Sequence, residues 1–96
     1  MTDTTLQLTD IATIAPGFRL QWEKAQDCHV ILYPEGMVKL SASAGAIMQE
    51  LDGSRTVAEI IQRLSDQFNG ADLGPDVINF LQTAFANGWL RHARDE

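Results

Sequence analysis

The hydrophobic period changes once along this chain, and that change limits the possible fold more than any other feature. From Phe18 to Leu40 the apolar residues alternate or fall in short β-branched runs, whereas from Ser41 to Gly88 they return at spacings of three and four. A chain that spells strands first and helices afterwards predicts an α+β fold, a three-stranded antiparallel sheet followed by three helices.

Phe18, Leu20 and Trp22 stand opposite Arg19, Gln21 and Glu23, the pattern of a strand with one buried face. After the polar link Lys24-Ala25-Gln26-Asp27, the run from Cys28 to Tyr33 suits a more buried second strand. Pro34-Glu35-Gly36 predicts a tight hairpin, with Pro presetting a negative φ and Gly accepting a positive one, into a third strand at Met37-Val38-Lys39-Leu40.

Ser41 or Ser43 can cap a first helix whose apolar positions are Ala44, Ile47, Met48 and Leu51, with Gly45 a small weakness inside it. Thr56 and Glu59 have the spacing of a reciprocal capping box, so a second helix starts there, carrying Val57, Ile60, Ile61, Leu64 and Phe68 on one face. Pro75 opens a third helix that ends at Asn87-Gly88. Its apolar arc is wide, with Val77, Phe80, Leu81 and Ala84 in one stripe and Ile78, Leu81 and Phe85 in another, so neighbours on two sides are expected. Trp89-Leu90-Arg91 leaves room for a short extended return. Residues 1–15 read as a flexible polar tail, with Leu8, Ile11 and Ile14 able to pack loosely on the body or in a partner copy, residues 16–92 as one domain and residues 93–96 as a charged tail.

Thirteen acidic against seven basic residues give a formal charge of −6, which repels phosphate backbones and anionic lipid surfaces. The single cysteine, Cys28, has no partner for an internal disulfide, and the N-terminus lacks the basic start and apolar run of a signal peptide. The longest apolar stretch, Val30 to Tyr33, is far shorter than the roughly 20 residues that span a bilayer. The expected setting is therefore cytoplasmic, with no membrane anchor.

Catalytic chemistry finds little to work with. Cys28 and His29 are neighbours in a predicted strand and point to opposite faces, so they do not form a nucleophile–base pair or a shared metal site. His92 stands between Arg91 and Arg94 without metal-ligand spacing, Glu59 is accounted for by its cap, and Glu50 and Asp52 are two apart and do not face each other. No glycine pattern cradles a phosphate. The expectation is a protein that is not an enzyme, with no catalytic, metal-binding or cofactor-binding residues. A small sheet with three helices also has the outline of a winged helix, but no Lys or Arg lies between Pro75 and Asn87, so a DNA-reading role is disfavoured.

A partner polypeptide remains. The third strand precedes a helix, leaving one edge free to accept an extended peptide as an added strand, with the third helix supplying side pockets through Val77, Phe80, Leu81, Ala84 or Phe85. The plainer reading makes that helical arc core, packed on both sides. The same edge equally accepts a second copy, giving a homodimer by edge pairing or segment exchange.

The residues that suggest this also carry a resemblance. Pro16 to Glu23, Ala25-Gln26-Asp27, His29-Val30, Leu32 to Leu40, Asp52-Gly53, Arg55 to Ile60, Phe80-Leu81 and Gly88-Trp89-Leu90 together resemble the PqqD family of pyrroloquinoline quinone biosynthesis, over the span from Pro16 to Leu90. The resemblance implies a winged-helix-like recognition element for ribosomally made, modified peptides. It would act as a chaperone that binds the precursor peptide PqqA and presents it to PqqE, a radical S-adenosylmethionine enzyme that joins a glutamate to a tyrosine. The iron–sulfur chemistry would belong to that enzyme. Carried onto this chain, the resemblance places the peptide on Met37, Val38, Lys39, Leu40 and Ser41. The second wall would come from Phe80, Leu81 and Ala84 of the third helix or Ala44 and Ile47 of the first. Ser41 departs from the family pattern, where Asn is expected, though Ser also caps helices. On this reading Val38→Pro should remove a strand donor and weaken peptide binding. The rivals are a structural homodimer and a synthase-docking module, and a quinone-product carrier lacks any Arg or Lys cluster for a tricarboxylate.

Overall fold

The computed structural model describes residues 6–93. In chain order the elements are β1 (Ala12–Ile14), β2 (Arg19–Glu23), β3 (Cys28–Tyr33), β4 (Gly36–Lys39), α1 (Ala42–Gln49), α2 (Val57–Gln67), α3 (Gly74–Ala86) and β5 (Leu90–His92). β2, β3 and β4 form the expected three-stranded antiparallel sheet in that order, and the three helices follow it.

The alternation in the sequence becomes the sheet's two faces. Leu20, Ile31 and Val38 are cross-strand partners that pack towards the helices, and the Phe18 and Tyr33 rings meet at 5.7 Å nearby. Trp22 lies on this face too, edge-on to His29 at 4.9 Å, yet it is 51% exposed because β2 is an edge strand, with no further strand beyond it among the described residues. Pro34 and Glu35 make the hairpin that joins Tyr33 to its partner Gly36. That turn closes without a left-handed residue, since Gly36 is not among the glycines with positive φ. The β2–β3 link does use one, at Asp27 with φ 55°.

α1 begins where the Ser41 side chain accepts a hydrogen bond from the Ala44 N–H at 3.1 Å. Gly45 does more here than weaken a helix. A Cβ on it would stand 2.9 Å from His29 Nδ1 and 3.3 Å from His29 Cβ, so its bare backbone is what lets α1 lie against β3. α2 opens with the expected capping box: the Glu59 N–H donates to Thr56 Oγ1, and the Thr56 N–H donates to Glu59 Oε1 at 2.8 Å. Its buried stripe is Val57, Ile60 and Leu64, which meets Val77, Leu81 and Ala84 of α3 in one core. Phe68, expected on that stripe, instead sits past the last helical turn and is 52% exposed.

The segment before Pro16 departs most from expectation. Residues 1–5 lie outside the described residues, but the remainder is built into the body. β1 pairs antiparallel with β5, Ala12 opposite His92 and Ile14 opposite Leu90, and Leu6 and Ala12 are buried in the core. Asp10 O accepts from the Val57 N–H and Leu8 O from the Ala58 N–H, so this segment also caps α2. A three-residue strand paired across nearly the whole chain leaves no local periodicity to read, which is why a tail was the expectation. At the other end the Ala93 N–H donates to Ile11 O, and residues 94–96, the rest of the expected charged tail, lie outside the described residues. No helix among the described residues is long and apolar enough to cross a membrane.

Candidate functional site

Among the described residues, β4 has β3 on one side and no strand on the other. Which of its backbone groups face that open side follows from one hydrogen bond. The Leu40 N–H donates to His29 O at 2.9 Å, so Leu40 and His29 form a bonded pair. Bonded and non-bonded pairs alternate along an antiparallel ladder, which makes Val38–Ile31 bonded and leaves the N–H and C=O groups of Met37 and Lys39 on the outer edge. The expectation that Val38→Pro removes an edge donor is thereby corrected: Val38 bonds inward to β3, and Met37 and Lys39 carry the free donors. The side chains alternate as well, with Val38 packed on the core and Met37 and Lys39 exposed.

Where β4 ends, an apolar groove begins. A cavity of about 380 Å³ is lined by Ser41, Ser43, Ala44, Ala46 and Ile47 from the start of α1, by Leu64 and Phe68 from the end of α2, and by Leu73, Asp76, Val77 and Phe80 from the start of α3. Three helix termini make it, and each shapes it for a local reason. The Ser41 cap turns the chain out of β4 so that Ala44 and Ile47 face inward, small residues at Ala44 and Ala46 keep that wall low, and Asn69 with φ 61° stops α2 so that Phe68 stands at the rim.

Five of the residues expected at a peptide site therefore come together here: Ser41, Ala44, Ile47, Val77 and Phe80. Both helices named as alternatives for the second wall contribute to it. Met37, Val38, Lys39 and Leu40 run up to the groove without lining it, and Leu40 is buried in the core. Leu81 and Ala84 are corrected outright. Both are 0% exposed, belong to the core shared with α2 and do not line the groove. They share the buried stripe of Val77 but stand further along α3, whose first two turns, with Asp76, Val77 and Phe80, form the groove wall. Phe85 lies outside it too, stacked on His92. Ser43, Ala46, Leu64, Phe68, Leu73 and Asp76 were missed. Phe68 had left a signal, a large apolar residue directly before the Asn69-Gly70 stop.

The chain's paired charges lie elsewhere. Glu50, 8% exposed, accepts from Arg63 Nε and from Arg55 Nη1, the latter at 3.3 Å, and Asp52 stands 3.7 Å from the same Arg55 nitrogen. Glu50 and Asp52 thus meet through a shared cation although they do not face each other along the chain. The hydrogen bond to Glu50 raises the Arg63 guanidinium further, and the Ser54 N–H, then the Ser54 hydroxyl, hold the Asp52 carboxyl below its ordinary value. This cluster ties α1 to α2 and leaves the groove untouched. Among the described residues no three His, Cys, Asp or Glu side chains gather as a metal site. A free strand edge leading into an apolar groove is an arrangement for holding an extended polypeptide.

Comparison with known proteins agrees. Residues 28–90 match the family model of coenzyme PQQ synthesis protein D (PqqD). The chain belongs to the PqqD family. A PqqA binding protein of Azotobacter vinelandii is 48% identical over 91 residues, covering 94% of this chain and 97% of that protein. One from Klebsiella pneumoniae is 50% identical over 86 residues, covering 88% and 94%. Among solved structures, the PqqD truncation of Methylobacterium extorquens PqqCD superposes with a TM-score of 0.78 at 26% identity, covering 92% of this chain and 96% of that one. That PqqD structure is described as a functional, stand-alone recognition element for ribosomally synthesised and post-translationally modified peptides. The family's fold and the fold described above are the same α+β arrangement.

Proposed function

We propose that this chain is a peptide chaperone of pyrroloquinoline quinone biosynthesis, binding the precursor peptide PqqA and presenting it in the cytoplasm to the radical S-adenosylmethionine enzyme PqqE for Glu–Tyr cross-linking. The observation that carries the reading is the continuity of the open β4 edge with the groove between α1, α2 and α3. The relatives' names, binding proteins for PqqA, point the same way. Backbone pairing with Met37 and Lys39 fixes the peptide's register, and side chains on the helix side of the added strand fill the groove. The chain performs no bond chemistry of its own in this scheme. It raises the peptide's effective concentration at the synthase.

The test separates the two kinds of β4 residue. Lys39→Pro, or Met37→Pro as a second variant, removes an outward donor on an edge strand, where proline is tolerated. Calorimetric titration with PqqA should show about tenfold weaker binding with the fold intact, the worth of roughly one strand hydrogen bond. Val38→Pro should instead unfold the sheet. Undiminished affinity in folded Lys39→Pro and Met37→Pro proteins would remove the peptide from this edge. Should light scattering show that both variants abolish a dimer while PqqA affinity is unchanged, the edge would belong to a second copy of the chain.

A further inference from the structure

Asp76 is the one ionisable residue among those lining the groove; the other ten are Ser, Ala, Ile, Leu, Val and Phe. Its carboxylate has no hydrogen-bond or ion-pair partner among the described residues, whereas Glu50, Asp52 and Glu59 are each engaged by the protein itself. Part of its placement is explained by the fold, since an acid in the first turn of α3 complements the helix dipole. That role does not require it to line an apolar trough. Asp76 is exposed at the groove wall, so a cation held beside it gains an ion pair of the surface kind while the apolar wall receives its neighbours.

We propose that Asp76 is a specificity determinant of the peptide groove, selecting a Lys or Arg that stands two residues along the bound strand from an apolar anchor. The inference rests on the peptide reading above. Its spacing comes from geometry. Asp76 and Phe80 are one helical turn apart on the same face of α3, about 6 Å along the axis. Same-face side chains of an extended strand repeat at about 6.6 Å. A strand lying along α3 therefore sets an anchor against Phe80, Val77 and Ile47 and brings its next same-side residue to Asp76. The chain's formal charge of −6 favours approach of such a basic segment at long range.

The experiment is a double-mutant cycle in solution, with the full chain and its Asp76→Asn variant titrated against PqqA and against PqqA peptides in which each Lys and Arg in turn is replaced by Gln. Asp76→Asn should weaken binding about three- to fivefold, the scale of one partly exposed ion pair. One peptide cation, two positions from an apolar residue, should account for the loss, so that neither change adds to the other. The difference should vanish near 1 M salt, where the screening length falls to about 3 Å. A purely structural Asp76 would lower the melting temperature and leave the cycle uncoupled. Wild-type binding with no coupled cation would overturn this assignment alone. Absence of any PqqA binding by the unaltered chain would overturn the peptide reading and this assignment with it.

Discussion

The starts of α2 and α3 are opposite solutions to one problem, the four N–H groups that the first turn of a helix leaves without partners. At α2 all four are met: Thr56 N–H by Glu59 Oε1, Val57 N–H by Asp10 O, Ala58 N–H by Leu8 O and Glu59 N–H by the Thr56 hydroxyl. The neighbouring Glu50 cluster satisfies its charges internally as well. At α3 the N-cap is Leu73, which offers no side-chain oxygen, Pro75 contributes no donor, and the exposed Asp76, at the groove wall, has no partner for its carboxylate among the described residues. One end is closed by its own chain, and the other is left for something else to complete. Local completeness marks the scaffold, and local incompleteness borders the candidate groove.

Breaking the closed region should therefore cost stability and spare binding. The largest effect is expected from Glu50→Ala, which deletes a buried acceptor of two guanidinium groups. Because Arg55 and Arg63 keep 30% and 49% of their side-chain surface exposed, they regain water, and the loss should be about 2 kcal/mol, the scale of charged hydrogen bonds, not that of a stranded buried ion. Urea denaturation measures it, and PqqA affinity within about twofold of the unaltered protein is the accompanying expectation. Thr56→Ala should cost less, about 1 kcal/mol, again without a change in affinity. A loss of peptide binding in either folded variant would erase the distinction between the two helix starts.

Elements whose signals are local were legible from sequence. The Thr56–Glu59 box is found as read, Ser41 and not Ser43 caps α1, α3 starts one residue before Pro75, at Gly74, and β2 pairs as its alternation implies although Trp22 on its inner face is exposed. The groove was legible only in part, because it is made by three segments distant in sequence. Ala44, Ile47 and Phe80 could be named from their helical positions. Which side of α3 faces inward could not, since its apolar arc fits two stripes, and Leu81 and Ala84 were assigned to the groove although they belong to the core. The direction of the β4 hydrogen bonds depends on ladder parity, a property of the pairing that no single strand carries.

The β1–β5 ribbon has a kinetic consequence. The β2–β3–β4 meander is joined by short connections, while the ribbon joins position 12 to position 92 and must close nearly the entire chain into a loop. Loop-closure entropy grows with that separation, so such a pairing is rewarded only after the intervening elements have packed. The ribbon, and with it the Leu8 and Asp10 carbonyls that complete α2, is therefore expected to assemble last and open first. Amide hydrogen exchange at Thr13 and Arg91 should accordingly outpace that at Ile31, and equal protection at all three would show that the ends lock together with the centre.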